Sequence, residues 1–386
     1  MSTPTRRDLL KAAPFAAVPW FAGLPAVRGA DDPAPAFPGR IVRMQEPRNL
    51  EFPMSELKGS ITPTEQFFVR SHFAVPKIDR ATWKLKIEGD VEKPLELSYD
   101  DILKLKSVTK PITLECAGNG RVFLTPAARG LQWGFGGVST GSWTGVEIAT
   151  VLDKAGVKAG ATEVIFVGAD RGVIADPASP GPIAFDRTIP LEKVLKPECL
   201  LALQLNGEDL PPSHGFPLRG IIGGWYGMAS IKWLSRIIVT SKPYAGFWQT
   251  MDYSYFKRRD GGLPQLTAVT AIEPKAVIAQ PALSEAIPVG KAYRVHGAAW
   301  AGEKKVGKVE FSADGGKTWD AVKSKEQPSS LAWTLWDHSW TPAARGSASL
   351  LVRCTDEAGN RQPDQRDGDR RSYMINHLVP VEVLVK

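Results

Sequence analysis

The residues of this 386-residue chain that could do chemistry fall into a few tight groups. The richest is Thr113-Leu114-Glu115-Cys116-Ala117-Gly118-Asn119-Gly120-Arg121. Ile112, Leu114 and Cys116 alternate with polar neighbours as in a strand, and Ala-Gly-Asn-Gly then breaks the run, so Cys116 stands where strand becomes turn. A thiol there can meet a ligand. The small residues that follow admit a bulky group, and Arg121 adds a permanent positive charge. That combination suits a thiolate-bound metal with an anion beside it. A lone cysteine in an apolar strand is ordinarily a small core residue, so its company must decide.

The company is suggestive. In Gln66-Phe67-Phe68-Val69-Arg70-Ser71-His72, Arg70 and His72 lie two apart on an aromatic strand and point the same way, as two donors on one ligand or as solvated residues of an edge strand. Asp170 closes the apolar run from Val164 after Gly168-Ala169, either as a ligand-facing carboxylate or as a turn residue. His214 and Arg219 sit on Pro211-Pro212-Ser213-His214-Gly215-Phe216-Pro217, a stretch too proline-constrained for helix or central strand, and stiff loops suit preorganised donors. By themselves Lys232 in Ser230-Ile231-Lys232 reads as a solvated lysine at a strand start, and Tyr253 after Asp252, like Tyr255, as an interface aromatic.

The elements that must hold these groups are legible. Residues 83 to 106 predict strand, turn, strand and a helix capped by Ser98 with Asp101. Thr144 to Glu147 predicts a capping box for a helix from about Val146 to Ala155, stopped by Gly156. A strand from Glu163 to Asp170, a short helix from Pro190 to Leu195 and a strand from Leu200 to Leu205 follow, and Gly223 to Gly227 and Ser230 to Leu234 are taken as further strands. Lys257 to Gly262 looks like a linker. Beyond Ala268 come short alternating strands (292–299, 306–312, 333–340, 347–355), with Asp314-Gly315-Gly316 and Asp356 to Asn360 as turns. This predicts an immunoglobulin-like β-sandwich that lacks a Cys-Trp-Cys core.

Composition bounds the function. A hydrophobic share of 43% is that of a globular protein, long enough for two or three domains. Residues 1–30 carry Arg6, Arg7, Lys11 and Arg28 against Asp8, so the net charge of +7 falls to +4 for the rest. Cations are interspersed with anions, which argues against nucleic acid and allows at most an anionic small substrate or an acidic redox partner. Cys116, Cys199 and Cys354 form no CxxC pair and no CxxCH haem site. Arg6-Arg7 before a short, proline-broken apolar run predicts a twin-arginine export signal over 1–30, hence a periplasmic protein, and no segment is apolar enough to span a bilayer.

Taken together, Thr113 to Asn119 with Arg121, Phe68 to His72, Gly130-Leu131-Gln132-Trp133, Asp170, His214 with Arg219, Ser230 to Lys232 and Tyr253 resemble, in the same order, the motifs of the sulfite oxidase family of molybdopterin enzymes, over roughly residues 41 to 386. The resemblance implies an α+β fold. A mixed α/β molybdopterin-binding domain (31–262, with an N-terminal arm) would precede an all-β immunoglobulin-like dimerisation domain (263–386). It implies the molybdenum cofactor, with Cys116 as metal ligand, and Phe68, Val69, Arg70, Ser71, His72, Asp170, His214, Arg219, Ser230, Ile231 and Lys232 as cofactor contacts. It also implies Arg70, Arg121 and Tyr253 around the substrate, Arg371 by position as a third arginine, and Trp133 either against the pocket or in the core. The implied activity is oxidation of sulfite to sulfate by oxygen-atom transfer in a homodimer. Without a haem domain in this chain, electrons would pass to an external acceptor such as a c-type cytochrome. Gly120, where sulfite oxidases often carry a second arginine, would make the pocket less basic, which keeps a sulfane dehydrogenase subunit or a sulfoxide reductase in view. An exported immunoglobulin-like scaffolding protein is the non-enzymatic alternative.

Overall fold

The alternating run Ser107–Glu115 forms a strand that pairs antiparallel with Val138–Glu147, from Ser107 opposite Val146 to Glu115 opposite Val138. In this computed structural model, which describes residues 37–258 and 262–386, Cys199–Leu205 pairs next, and Arg219–Ile222 and Glu208–Asp209 both pair with it in turn. Ile112 and Leu114 face one way from this sheet, into a cluster with Phe67, Trp143, Leu200 and Ala202. The export signal predicted over 1–30 lies outside the described residues.

A second sheet has the order Leu95–Ser98, Lys84–Gly89, Leu234–Thr240, Glu163–Gly172, Ile183–Pro190, with Leu234–Thr240 parallel to Lys84–Gly89 and the other pairs antiparallel. Between the sheets lies the largest core, which takes the buried face of the helix Ile148–Ala155 through Ile148, Val151, Leu152 and Ala155. Ile148, Val151 and Leu152, fully buried, each contribute about 1.5 to 3 kcal/mol. Helices are few and short. Among the described residues this one, with eight residues, is the longest of four, so the body is dominated by strands.

Some expectations need correction. The Ser98–Asp101 capping box is present, but Thr144 caps nothing: its strand continues to Glu147, and its hydroxyl pairs across the sheet with Thr109 at 2.8 Å. The helix begins at Ile148 without a side-chain cap and ends at Gly156 as expected. Gln66–His72 is irregular, leaving a turn at Gln66 and making a single bridge, Leu50 to Val69, rather than a strand. Residues 230 to 233 and 223 to 227 are irregular, while Pro212–His214 is a 3-10 turn and Arg219 opens a strand. The strands flanking the supposed linker, Ser254–Lys257 and Gln265–Ala268, pair with each other as a hairpin.

Beyond the hairpin two sheets face each other. One has the order Lys275–Gln280, Tyr293–Trp300, Thr334–Trp340, Lys323–Ser324, and the other Ala286–Ile287, Val381–Val385, Gly346–Asp356, Val306–Ser312, Asp320–Ala321. Ile278, Val295 and Trp336 of the first meet Val309, Phe311, Leu350 and Val352 of the second, so the predicted sandwich is present. It is joined to the rest, and residues 39–386 form one unit. The amide of Thr113 donates to the carbonyl of Leu331 at 2.9 Å, and the amide of Trp333 donates to the Thr113 hydroxyl at 2.7 Å.

Candidate active site

The strand to Glu115 delivers Cys116 to the wall between two cavities that share Arg70, His72, Cys116 and Tyr253. The inner one, the more enclosed, is walled by Phe68, Phe185 and Trp233 and carries Ser71, Asp170, His214, Arg219, Ser230 and Lys232. The outer one, larger and more open, holds Arg121, Arg371 and Tyr373, with Trp248 at its side. Of the three cysteines, Cys116 alone lines a cavity. Cys199 Sγ lies against the Lys193 carbonyl at 3.2 Å and Cys354 against that of Trp300 at 3.9 Å. Burial pushes the Cys116 thiol up, while Arg70 and Arg121 pull it back.

The inner cavity has more cationic groups than partners. Lys232 Nζ donates to Ser71 Oγ at 2.7 Å and to the Ser213 carbonyl at 3.1 Å, and Arg219 donates to the carbonyls of His214 and Ser230, each at 3.3 Å. Burial lowers Arg219 to about 9 and holds Lys232 well below its ordinary value, the positive charge of Arg219 adding to the effect on lysine. Asp170, pushed up to about 6 by burial, is the acidic group lining the cavity, so the site favours an anion from outside. His214 is kept neutral by burial and the neighbouring cations, and its Nε2 is buried without a partner. Gly215 makes this packing possible. Its φ is +111°, and a Cβ there would sit 3.1 Å from the Lys232 backbone.

At the throat, Tyr253 Oη lies 2.8 Å from His72 Nε2, and the imidazole stacks on Phe185 at 4.6 Å. Burial, with Arg70 and Lys232 near, holds His72 well below its ordinary value, so the ring is neutral; burial raises the Tyr253 phenol. Arg70 reaches Asn49 Oδ1 at 3.3 Å and the Ser71 carbonyl and forms no ion pair with a described carboxylate. Arg121 is more committed, donating to the carbonyls of Leu131 (2.9 Å) and Ser372 (3.1 and 3.2 Å). Gly118 and Gly130 make room for it, since a Cβ at either would come within 2.8 Å of its guanidinium. Arg371 Nη1 donates to Ser254 Oγ at 2.8 Å.

Every predicted site residue except Ile231 lines one of these cavities. The Ile231 side chain is in the main core, and its carbonyl accepts from the Gly220 amide at 2.8 Å. Trp133 is fully buried, edge-on to Phe68, and is core. Gly120 lines neither cavity: its φ is +94°, and a side chain there would meet Ile375 at 3.2 Å and Lys275 Nζ at 3.7 Å. The expectation that its lack of a side chain makes the substrate pocket less basic is therefore withdrawn. Phe185, Trp248 and Tyr373 also line the cavities, and sequence reasoning misses them because an aromatic residue carries no local signal that separates lining from core. The position of Tyr373, two residues after Arg371, is the one available hint.

Residues 72–248 match the oxidoreductase molybdopterin binding domain, and residues 267–385 the Mo-co oxidoreductase dimerisation domain. Sulfite oxidase of Gallus gallus is 32% identical over 363 residues, covering 88% of this chain and 77% of that protein. The chain belongs to the sulfite oxidase family of molybdopterin oxidoreductases. The mitochondrial sulfite oxidase of Homo sapiens is 33% identical over 87% of this chain, which spans 63% of the human protein's length. Nitrate reductase [NADH] 1 of Oryza sativa subsp. japonica, another relative, is 31% identical over 88% of this chain and 40% of its own length. The sulfane dehydrogenase SoxCD of Paracoccus pantotrophus shares the fold, with a TM-score of 0.78 at 24% identity and full coverage of both chains. A family cofactor fits the inner cavity on its own chemistry. An anionic pterin would meet Arg219 and Lys232, its polar edge could use the unpartnered His214 Nε2, and the Cys116 thiol stands at the wall as a soft ligand for the metal.

Proposed function

We propose that this chain oxidises sulfite to sulfate and passes the electrons to an external acceptor such as a c-type cytochrome. The observation that carries this is the outer cavity, whose lining includes Arg70, Arg121 and Arg371 together with Cys116. Arginine holds oxyanions through planar, permanently charged donors. Sulfite and water give sulfate, two protons and two electrons, and the molybdenum cofactor, when bound, supplies the oxygen-atom transfer and takes up those electrons. Phe68 to His72, Asp170, His214, Arg219, Ser230 and Lys232 hold it in the inner cavity. Tyr253, held by neutral His72, presents a hydroxyl at the throat for a proton at Oη.

Family membership sets aside the non-enzymatic scaffold. A second reading, oxidation of protein-bound sulfane sulfur, is favoured by the size of the outer cavity, which far exceeds what one small anion requires. Arg6-Arg7 supports export of the folded, loaded chain to the periplasm, and the match at 267–385 supports a homodimer. Among the described residues no helix is long and apolar enough to cross a membrane. The test is anaerobic addition of sulfite to purified holoprotein. Sulfite should bleach the metal absorption of wild type, while Cys116→Ser lacks the thiolate-dependent band and turnover. A wild type that carries molybdenum yet is not reduced by sulfite refutes the sulfite reading.

A further inference from the structure

The residue before the cysteine is tied to the other half of the molecule. Glu115 and Lys275, the first residue of the sandwich strand Lys275–Gln280, form an ion pair at 2.9 Å with side chains 1% and 2% exposed. Lys275 Nζ also donates to the Asn119 carbonyl at 3.1 Å. Trp300 Nε1 donates to the other Glu115 oxygen at 2.8 Å, and Asn119 Nδ2 donates to the first at 3.0 Å. The Met374 amide closes on the Ala117 carbonyl at 2.8 Å. The turn carrying Cys116 is thus held from both ends by groups of residues 275–374. Buried pairs are poor sources of net stability, yet removing one partner strands a charge, so such a pair fixes geometry more than it adds stability.

We propose that Lys275, through Glu115 and Asn119, is a positioning residue that sets the orientation of Cys116 toward the metal, so that the sandwich completes the active site. This rests on Cys116 being the metal ligand. The experiment compares wild type, Lys275→Met, Lys275→Arg and the double variant Glu115→Gln/Lys275→Met. Hydrogen exchange is followed over residues 115–121 of the cofactor-free proteins, and electron paramagnetic resonance of the partly reduced metal in the loaded ones. Lys275→Met should raise exchange at 115–121 at least tenfold above any change in the second sheet and should shift the resonance, with Lys275→Arg partly restoring both. The double variant, which buries no stranded charge, should show the same local loosening and shift, and it carries the test if Lys275→Met does not fold.

Wild-type exchange and resonance in the variants would overturn the proposal. So would faster exchange with an unmoved resonance, which is a purely structural role, or a moved resonance without local loosening, which is an electrostatic one. A wild type whose resonance is indifferent to Cys116→Ser would instead sink the ligand assignment itself.

Discussion

Arg70 and Arg121 should respond differently to the same substitution. Each faces the outer cavity, but Arg70 bonds Asn49 and the Ser71 carbonyl through a single nitrogen, Nη1, which leaves its remaining donors for a ligand, whereas Arg121 spends Nε, Nη1 and Nη2 on the Leu131 and Ser372 carbonyls. Losing one charge-assisted hydrogen bond to sulfite costs about 1.5 to 3 kcal/mol, roughly ten- to hundredfold in affinity. Arg70→Gln should therefore raise KM for sulfite by that factor with little loss of stability. Arg121→Gln also strips the part-buried Ser372 carbonyl of its guanidinium partner and the Leu131 carbonyl of one of its two donors, at about 1 kcal/mol for each lost hydrogen bond, so it should lower the denaturation midpoint as well as raise KM. Steady-state assays with sulfite and an artificial one-electron acceptor, with sulfate as competitor, and chemical unfolding of the same preparations give both numbers. Unchanged KM in Arg70→Gln with no inhibition by sulfate would refute the anion-binding argument. Equal stability of the two variants would refute the claim that Arg121 is structurally committed.

Tyr253→Phe should lower kcat on the order of a hundredfold with little change in KM, because it removes the hydroxyl held by His72 but no charge; an unchanged kcat in stopped-flow reduction by sulfite would exclude a proton-handling role. Asp170 has a folded value near 6 against an ordinary 3.8, raised by burial. Its contribution to stability is therefore full below 3.8 and lost as pH rises through 6, so Asp170→Asn should flatten the decline in thermal midpoint of the cofactor-free protein between pH 4 and 6. Parallel pH profiles for variant and wild type would contradict this. Light scattering should give twice the chain mass at micromolar concentration, and a monomer throughout would remove the dimer proposal.

What the sequence determined by itself was local. The alternation at Ile112, Leu114 and Cys116 and the Ala-Gly-Asn-Gly break place a thiol at a strand end, because side-chain period and turn chemistry are set within a few residues. The Ser98 cap, the helix stop at Gly156 and the repeated short strands after Ala268 were legible for the same reason. Thr144 to Glu147 had the letters of a cap but became strand, since pairing with Ser107–Val108 and with the strand Cys199–Leu205 outweighed a local propensity. Only the tertiary structure decided which partner each charged group would meet. Arg121 finds the Ser372 carbonyl 251 positions away, Lys275 finds Glu115, and Gly120 turns from the cavity toward the sandwich. Those choices depend on how the sandwich closes over the cysteine turn. A charge buried at such a joint must be matched by whatever the packing brings there, which no short stretch of sequence encodes.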